Sequence, residues 1–142
     1  MHKIALAFAL VLAAVTLAKA GETVAPAGAK VYFINIKDGD TVKSPANIQF
    51  GLSGMGIAPA GVETADTGHH HLFIDTDAPE GDALNNTIPM DEHHMHFGKG
   101  QTEGSVPLAP GKHTLQLVLG DWTHIPHKPP VMSEKITITV EP

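Results

Sequence analysis

The stretch His113-Thr-Leu-Gln-Leu-Val-Leu119 places leucine at every second position from Leu115 to Leu119. Successive side chains of a β-strand point to opposite faces, so this alternation predicts a strand with one buried face. The same period of two recurs near the end of the chain, in residues 135–140. Beyond the predicted signal segment, no stretch sustains a helical apolar period for several turns. The pattern is therefore all-β.

Three further runs rich in β-branched and aromatic residues lie at 30–36, 47–53 and 70–75. Clusters of proline, glycine and asparagine separate the runs, and such clusters mark turns between strands. The interval 88–108 leaves room for two or three weaker strands. Short strands in this number predict an immunoglobulin-like antiparallel β-sandwich with long loops at 54–68 and 76–105, and a small barrel is the alternative.

The start of the chain predicts a cleavable export signal. Lys3 precedes an apolar run over residues 4–17, and Ala18-Lys-Ala20 forms a small-residue cleavage site. The apolar run is shorter than the roughly 20 residues of a membrane-spanning helix, so no membrane insertion is expected after cleavage, and the protein is expected to be periplasmic. The expected organisation is a signal peptide at 1–20, a flexible lead-in at 21–29 and a single sandwich domain at 30–142.

Charge and cysteine content narrow the classes of partner. Without the two lysines of the signal segment, seven lysines stand against fifteen acidic residues, a formal charge of 7 − 15 = −8 with neutral histidines. Nucleic acid is not expected as a partner, because phosphate binding needs a basic surface, whereas a negative field favours cations. The chain has no cysteine, which excludes disulfides, a lipoprotein-type anchor and a blue-copper centre.

Nine of the ten histidines follow the predicted signal segment. Apart from His113, they form the clusters His69-His-His71, His93-His-x-His96 and His124-x-x-His127. In an extended segment, residues two apart point the same way about 6.5 to 7 Å apart, which makes His69 with His71, and His94 with His96, chelate-compatible pairs. Imidazole nitrogens suit copper, zinc or nickel, whereas calcium and magnesium prefer oxygen.

The pairing of two predicted strands sharpens this metal hypothesis. If residues 70–75 and 113–119 are antiparallel neighbours, the start of the first strand lies beside the end of the second. His69 and His71 then lie near the histidines that follow the second strand. We expect the loop that carries His94 and His96 to close over the same rim. The candidate metal ligands are therefore His69, His71, His94, His96, His124 and His127.

Simpler interpretations compete at several positions. Histidines that flank strands often only hydrogen-bond to backbone or carboxylate, and we expect this of His113 near Asp75. Met90 and Met95 lie among the histidines and would suit copper(I), but methionine more often fills gaps in a core. Asp75 and Asp77 lack the glycine and distal glutamate of an EF-hand loop, and turn chemistry explains them more simply.

Several sequence blocks together resemble a known family. They are Gly68-His-His-His-Leu-Phe-Ile-Asp75, His94-x-His-Phe-Gly-x-Gly-Gln-Thr-Glu103, Pro110-Gly-Lys-His-Thr-Leu-Gln-Leu117 and Gly120-Asp-x-x-His-x-Pro-His127. Over residues 50–141, the chain resembles the bacterial exported domain of unknown function 4399. The resemblance implies no activity and identifies no metal. It implies that the histidine clusters belong to one domain.

The sequence predicts a periplasmic, non-enzymatic sandwich that binds a transition metal ion, copper first and zinc second, for buffering, delivery or tolerance. One alternative is an interaction module that docks on another envelope protein or polymer and uses its histidines structurally. A second alternative is a metal-dependent hydrolase, in which three protein ligands and an open position activate water. No residue is assigned a catalytic role, and Ser105 and Ser133 lack a nucleophile motif.

Overall fold

A computed structural model of the chain describes residues 22–142, so the predicted signal peptide lies outside the described residues. The strands are β1 (Lys30–Phe33), β2 (Thr41–Val42), β3 (Ala46–Ser53), β4 (Gly56–Ile57), β5 (Thr67–Ile74), β6 (His94–His96), β7 (Glu103–Val106), β8 (Gly111–Gly120) and β9 (Ile136–Val140). A short 3₁₀ helix, Gly81–Asn85, lies in the long loop after β5. Within residues 22–142, no helix has the length and apolar character needed to cross a membrane.

The strands form two open sheets with a shared core between them. The smaller sheet has the strand order β1-β3-β7, and the larger has the order β2-β9-β8-β5-β4, with β6 also paired to β5. All strand pairings are antiparallel except β2 with β9 and β4 with β5, which are parallel. The two open sheets confirm the predicted all-β sandwich over the alternative of a closed barrel.

The central pair of the larger sheet, β5 and β8, carries much of the core. In their antiparallel register, Leu72 lies opposite Leu117 and Ile74 lies opposite Leu115. These four side chains are buried together with Phe50 of the smaller sheet. Each buried apolar side chain of this size contributes about 1.5–3 kcal/mol to stability. The alternating leucines from which β8 is predicted therefore form the face of that strand that packs into the core.

The predicted strands agree with the structure. The five predicted runs correspond to β1, β3, β5, β8 and β9, and the additional strands expected within 88–108 are β6 and β7. The sequence does not predict β2 and β4, because each has only two residues and so shows no recognisable period.

The segment expected to be a flexible lead-in makes defined contacts with the domain. The amide of Ala25 donates to the carbonyl of Lys128, and the amide of Lys128 donates to the carbonyl of Thr23. Ala25 is buried in the core, and the hydroxyl of Thr23 donates to Asp121. Residues 23–25 therefore help to hold the turn that follows β8.

Candidate metal centre

Strand β5 presents its consecutive histidines to opposite faces of the larger sheet. His70 points into the core, where its ring centroid lies 5.2 Å from that of Phe50. His69 and His71 point to the outer face, and all three side chains are fully buried. The predicted pairing is confirmed, because β5 and β8 are antiparallel neighbours and His69 lies opposite Gly120.

The long loop after β5 returns to this rim through β6, as the sequence predicts. His96 lies opposite His71 in the β5–β6 register. The amide of Phe97 donates to the carbonyl of His70, which fixes the end of β6 against β5. Partners in an antiparallel ladder point to the same face of a sheet, so the ring of His96 joins the rings on the outer face.

A tight turn after β8 supplies one more histidine. The Oδ1 atom of Asp121 accepts hydrogen bonds from the amides of Thr123 and Ile125 at 2.8 and 3.0 Å and from the hydroxyl of Thr123 at 2.7 Å. Its Oδ2 atom accepts from the hydroxyl of Thr23 at 2.7 Å. His124 has a left-handed backbone conformation with φ of 69°. Such a conformation is uncommon for histidine and persists where surrounding contacts impose it.

The rings of His69, His71, His96 and His124 converge and are called the histidine cluster below. The Nε2 atoms of His69 and His71 lie 3.0 Å apart. One nitrogen from each of His69, His71 and His96 lies within 4.8 Å of the other two. The distances between ring centroids are 4.8 Å for His69–His71, 4.9 Å for His71–His96, 5.0 Å for His69–His96, 4.8 Å for His96–His124, 5.1 Å for His69–His124 and 5.9 Å for His71–His124.

Two glycines make room for the rings of the histidine cluster. A Cβ atom on Gly120 would lie 2.7 Å from Nε2 of His71, and a Cβ atom on Gly98 would overlap the ring of His96. A larger residue at either position would therefore displace a ring. Sequence reasoning missed both positions, and the only local signal is that each glycine lies close in sequence to a histidine cluster.

Burial lowers the pKa of three histidines of this site, His69, His71 and His96, and so favours their neutral form. Burial, reinforced by the rings of His69 and His96, lowers the pKa of His71 to about 2. Burial and the ring of His96 also lower the pKa of His69 to about 4, against a smaller opposing effect of Asp121. Burial, followed by the neighbouring ring of His124, lowers the pKa of His96. Neutral imidazole is the form that ligates a metal ion, so these rings are ready to bind at neutral pH.

Several ring nitrogens of the histidine cluster are buried without a hydrogen-bond partner. Within residues 22–142, this holds for Nδ1 of His69, Nδ1 of His71 and Nε2 of His96. A buried polar group without a partner costs about 1–3 kcal/mol. A cation held by the Nε2 atoms of His69 and His71 would also give the Nε2 atom of His96 a partner. The donors are nitrogens alone, which fits a transition metal ion and not calcium or magnesium.

Two of the six predicted ligands lie outside the histidine cluster. The Nδ1 atom of His94 is 2.7 Å from a carboxylate oxygen of Asp91, and its ring packs edge-on against Phe73. The ring nitrogens of His127 face the carbonyl oxygens of Thr67 at 3.0 Å and Leu119 at 3.4 Å. The structure thus brings together four of the predicted ligands and gives His94 and His127 other partners.

His113 lies at the opposite end of the sheet and has the hydrogen bonds that the sequence predicts. Its Nδ1 atom is 2.7 Å from Asp75, and its Nε2 atom is 2.8 Å from the carbonyl oxygen of Ala109. Burial alone would lower the pKa of His113, but these hydrogen bonds outweigh it and raise the pKa. This histidine holds the start of β8 to the end of β5.

The methionines and carboxylates near the histidines have other roles. Met95 lies opposite Leu72 and packs against the core, while Met90 is 67% exposed. Asp75 accepts a hydrogen bond from the amide of Thr114 as well as bonding to His113, and Asp77 pairs with Lys135. These contacts agree with a core methionine and with turn chemistry, the simpler interpretations of these residues.

The fold and the histidine cluster define a β-sandwich with a candidate nitrogen-donor metal centre at one rim. The chain belongs to the family described as a domain of unknown function (DUF4399), whose match covers residues 48–141. This range contains every member of the histidine cluster. Searches of curated proteins and of solved structures found no match for the chain. The function is therefore argued from the chemistry of the site.

Proposed function

We propose that this protein is a periplasmic β-sandwich that binds a transition metal ion through the histidine cluster, with copper and zinc as the ions its donors suit. One observation carries the proposal: four imidazole rings converge, with ring centroids 4.8 to 5.9 Å apart, the Nε2 atoms of His69 and His71 face each other at 3.0 Å, and the buried Nε2 atom of His96 lacks a partner. Strands β5 and β6 and the turn after β8 carry these rings. Imidazoles that are clustered only for packing would be expected to satisfy their nitrogens with nearby oxygen atoms.

Burial of the site favours holding an ion over catalysis. His69 and His71 are fully buried, and the rings of His96 and His124 pack against them and against each other. A catalytic zinc site keeps one coordination position open to water or substrate. The ring of His124 packs against the three rings whose nitrogens converge, where it would restrict access to the ion. The proposed role is therefore buffering, delivery or tolerance of the metal in the periplasm, where the export signal would direct the chain.

The test is calorimetric titration of tag-free, metal-stripped protein with copper(II) and zinc, together with elemental analysis. The structure offers a matched pair of variants in one short strand. His96→Ala removes a ring of the histidine cluster, whereas His94→Ala removes a ring that contacts Asp91 and Phe73. Both changes delete one imidazole from the same face of β6.

We expect one ion per chain in the wild-type protein and in His94→Ala. In His96→Ala, we expect the affinity to fall by at least about tenfold, since removing even an outer-shell partner of a metal ligand costs 10- to 100-fold. Absence of any wild-type site tighter than about 10 μM, near −7 kcal/mol, would refute the proposed function. Equal losses in the two variants would assign His94 to the site as well.

A further inference from the structure

The spacing of the ring centroids in the histidine cluster is closer to that around a tetrahedral ion than to that around a square-planar ion. Five of the six centroid distances lie between 4.8 and 5.1 Å, and the sixth, between His71 and His124, is 5.9 Å. Four points with nearly equal mutual distances form a tetrahedron. His69, His71 and His96 form an almost equilateral base, and His124 is an apex that leans away from His71.

Expected spacings for a bound ion follow from bond lengths. With metal–nitrogen bonds of about 2.0 Å and a ring radius of about 1.1 Å, rings around a tetrahedral ion have centroids about 5.1 Å apart. A square-planar set would instead have neighbouring rings about 4.4 Å apart and two opposite pairs about 6.2 Å apart. The observed set has one longer distance rather than two, and no pair as close as about 4.4 Å. The ring centroids therefore have nearly the spacing expected around a tetrahedral ion.

The ligand atoms also indicate which of the metal ions that adopt tetrahedral coordination the site would prefer. Zinc has no geometric preference of its own and binds imidazole in tetrahedral sites, whereas copper(II) favours tetragonal ones. Copper(I) also accepts a tetrahedron, but it is selected by soft sulfur ligands. The nearest methionine in sequence, Met95, points into the core on the opposite face of β6. The chain has no cysteine.

We propose that the histidine cluster is a four-coordinate, tetrahedral zinc site in which His124 is the fourth ligand. Among the described residues, the nitrogens that lie within 4.8 Å of one another belong to His69, His71 and His96, so the ring of His124 has to turn to bring a nitrogen to the ion. This inference rests on the proposed function and replaces copper with zinc as the first ion. The turn at Asp121 places the ring of His124 over the other three, 4.8 Å from His96 and 5.1 Å from His69. The same turn brings a carboxylate near His69, so a negative charge next to the site would partly balance the charge of the ion.

Cobalt(II) is the probe that tests the geometry, because tetrahedral cobalt(II) absorbs visible light far more strongly than six-coordinate cobalt(II). The variant His124→Asn removes the imidazole, and asparagine is among the residues that tolerate the left-handed conformation found at this position. His94→Ala is the matched control. Circular dichroism of each metal-free variant confirms that it is folded before titration.

We expect intense tetrahedral absorption for wild-type protein and for His94→Ala, with displacement of cobalt by one equivalent of zinc. In His124→Asn, the cobalt bands should change in position and intensity, and zinc affinity should fall by at least about tenfold. Tight binding with a weak six-coordinate spectrum, or an unchanged spectrum in His124→Asn, would overturn this inference and leave the proposed function standing. Failure to bind cobalt, zinc or copper would overturn both.

Discussion

The Nε2 atoms of His69 and His71 face each other at 3.0 Å in two side chains that have no exposure to solvent. Two imidazole nitrogens at this distance share one proton at most, because a second proton would place like charges in contact. A tetrahedral metal ion with bonds of about 2.0 Å would hold its ligand nitrogens about 3.3 Å apart. The pair is therefore already close to the spacing that one shared ion requires.

Metal-free protein should lose stability in mild acid. The pKa of His70 is lowered to about 4 from 6.5, with burial as its cause. Below pH 6.5, His70 is protonated in the unfolded chain but stays neutral in the folded chain. The free energy of unfolding therefore falls as the pH is lowered from 6.5 towards 4. His69 and His71 act in the same direction. For His70 alone the loss is on the order of 3 kcal/mol, measurable by urea denaturation at pH 7, 6 and 5.

His70→Leu isolates the contribution of this core histidine. Leucine fills a similar volume and removes a ring with two buried, unpartnered nitrogens. We expect unchanged or slightly higher stability at pH 7, by up to about 1 kcal/mol, and a weaker dependence on pH between 6.5 and 4. The same pH slope in this variant and in wild-type protein would contradict the account of His70.

The two glycines that border the rings should not accept alanine. Gly120→Ala would place a Cβ atom 2.7 Å from Nε2 of His71, and Gly98→Ala would press on His96. Each change is expected to lower zinc affinity by about 10- to 100-fold and stability by about 1–3 kcal/mol. Gly56→Ala is the control, since its nearest neighbour would be 3.4 Å away. Titration and thermal unfolding measure both effects, and wild-type affinity in Gly120→Ala would refute the proposed role of that glycine.

Loss of the Asp121 side chain should reduce stability more than loss of any single group that donates a hydrogen bond to it. Its carboxylate is 2% exposed and accepts the hydrogen bonds that form the turn before His124. Burial alone would raise the pKa of Asp121, but the hydrogen bonds from Thr123 and Thr23 outweigh it and lower the pKa. Asp121→Ala should cost about 2–4 kcal/mol and weaken zinc binding, whereas Thr23→Val should cost about 1 kcal/mol. Similar losses in both variants, measured by denaturation, would argue against this role.

The single tryptophan offers an optical test of where copper(II) binds when it is used as a probe. Trp122 lies two residues before His124 and is 39% exposed. We expect one equivalent of copper(II) to quench its fluorescence. Zinc has a filled d shell and should leave most of the fluorescence unquenched. His96→Ala should need much more copper(II) for the same quenching. Unchanged emission of wild-type protein at saturating copper(II) would contradict a site next to this turn.

Sequence periodicity predicts the parts of this site that depend on strand pairing. The leucines of β8 identify its inner face, and antiparallel pairing with β5 then places His69 and His71 beside the turn that carries His124. The spacing of two residues in His94-x-His96 correctly places both histidines on one face of β6. These predictions need only the alternation of side chains along a strand and the direction of its neighbour.

The alternation of side chains along a strand does not determine how the histidine rings are oriented or how closely they pack. His94 turns to Asp91, three residues earlier in the same loop, and His127 bonds to the carbonyl of Thr67, which is 60 residues away in sequence. The need for glycine at position 120 follows from a ring on the neighbouring strand. Such features depend on the three-dimensional path of the loops, so the sequence offers six ligand candidates where the structure brings four together.

Anomalous diffraction at the zinc absorption edge, from crystals of zinc-loaded protein, tests the central claim most directly. We expect one strong peak enclosed by His69, His71, His96 and His124, with zinc–nitrogen distances of about 2.0–2.1 Å. Peaks confined to other histidines, such as His93 or His113, or no bound zinc at all, would contradict the assignment of the histidine cluster as a metal site.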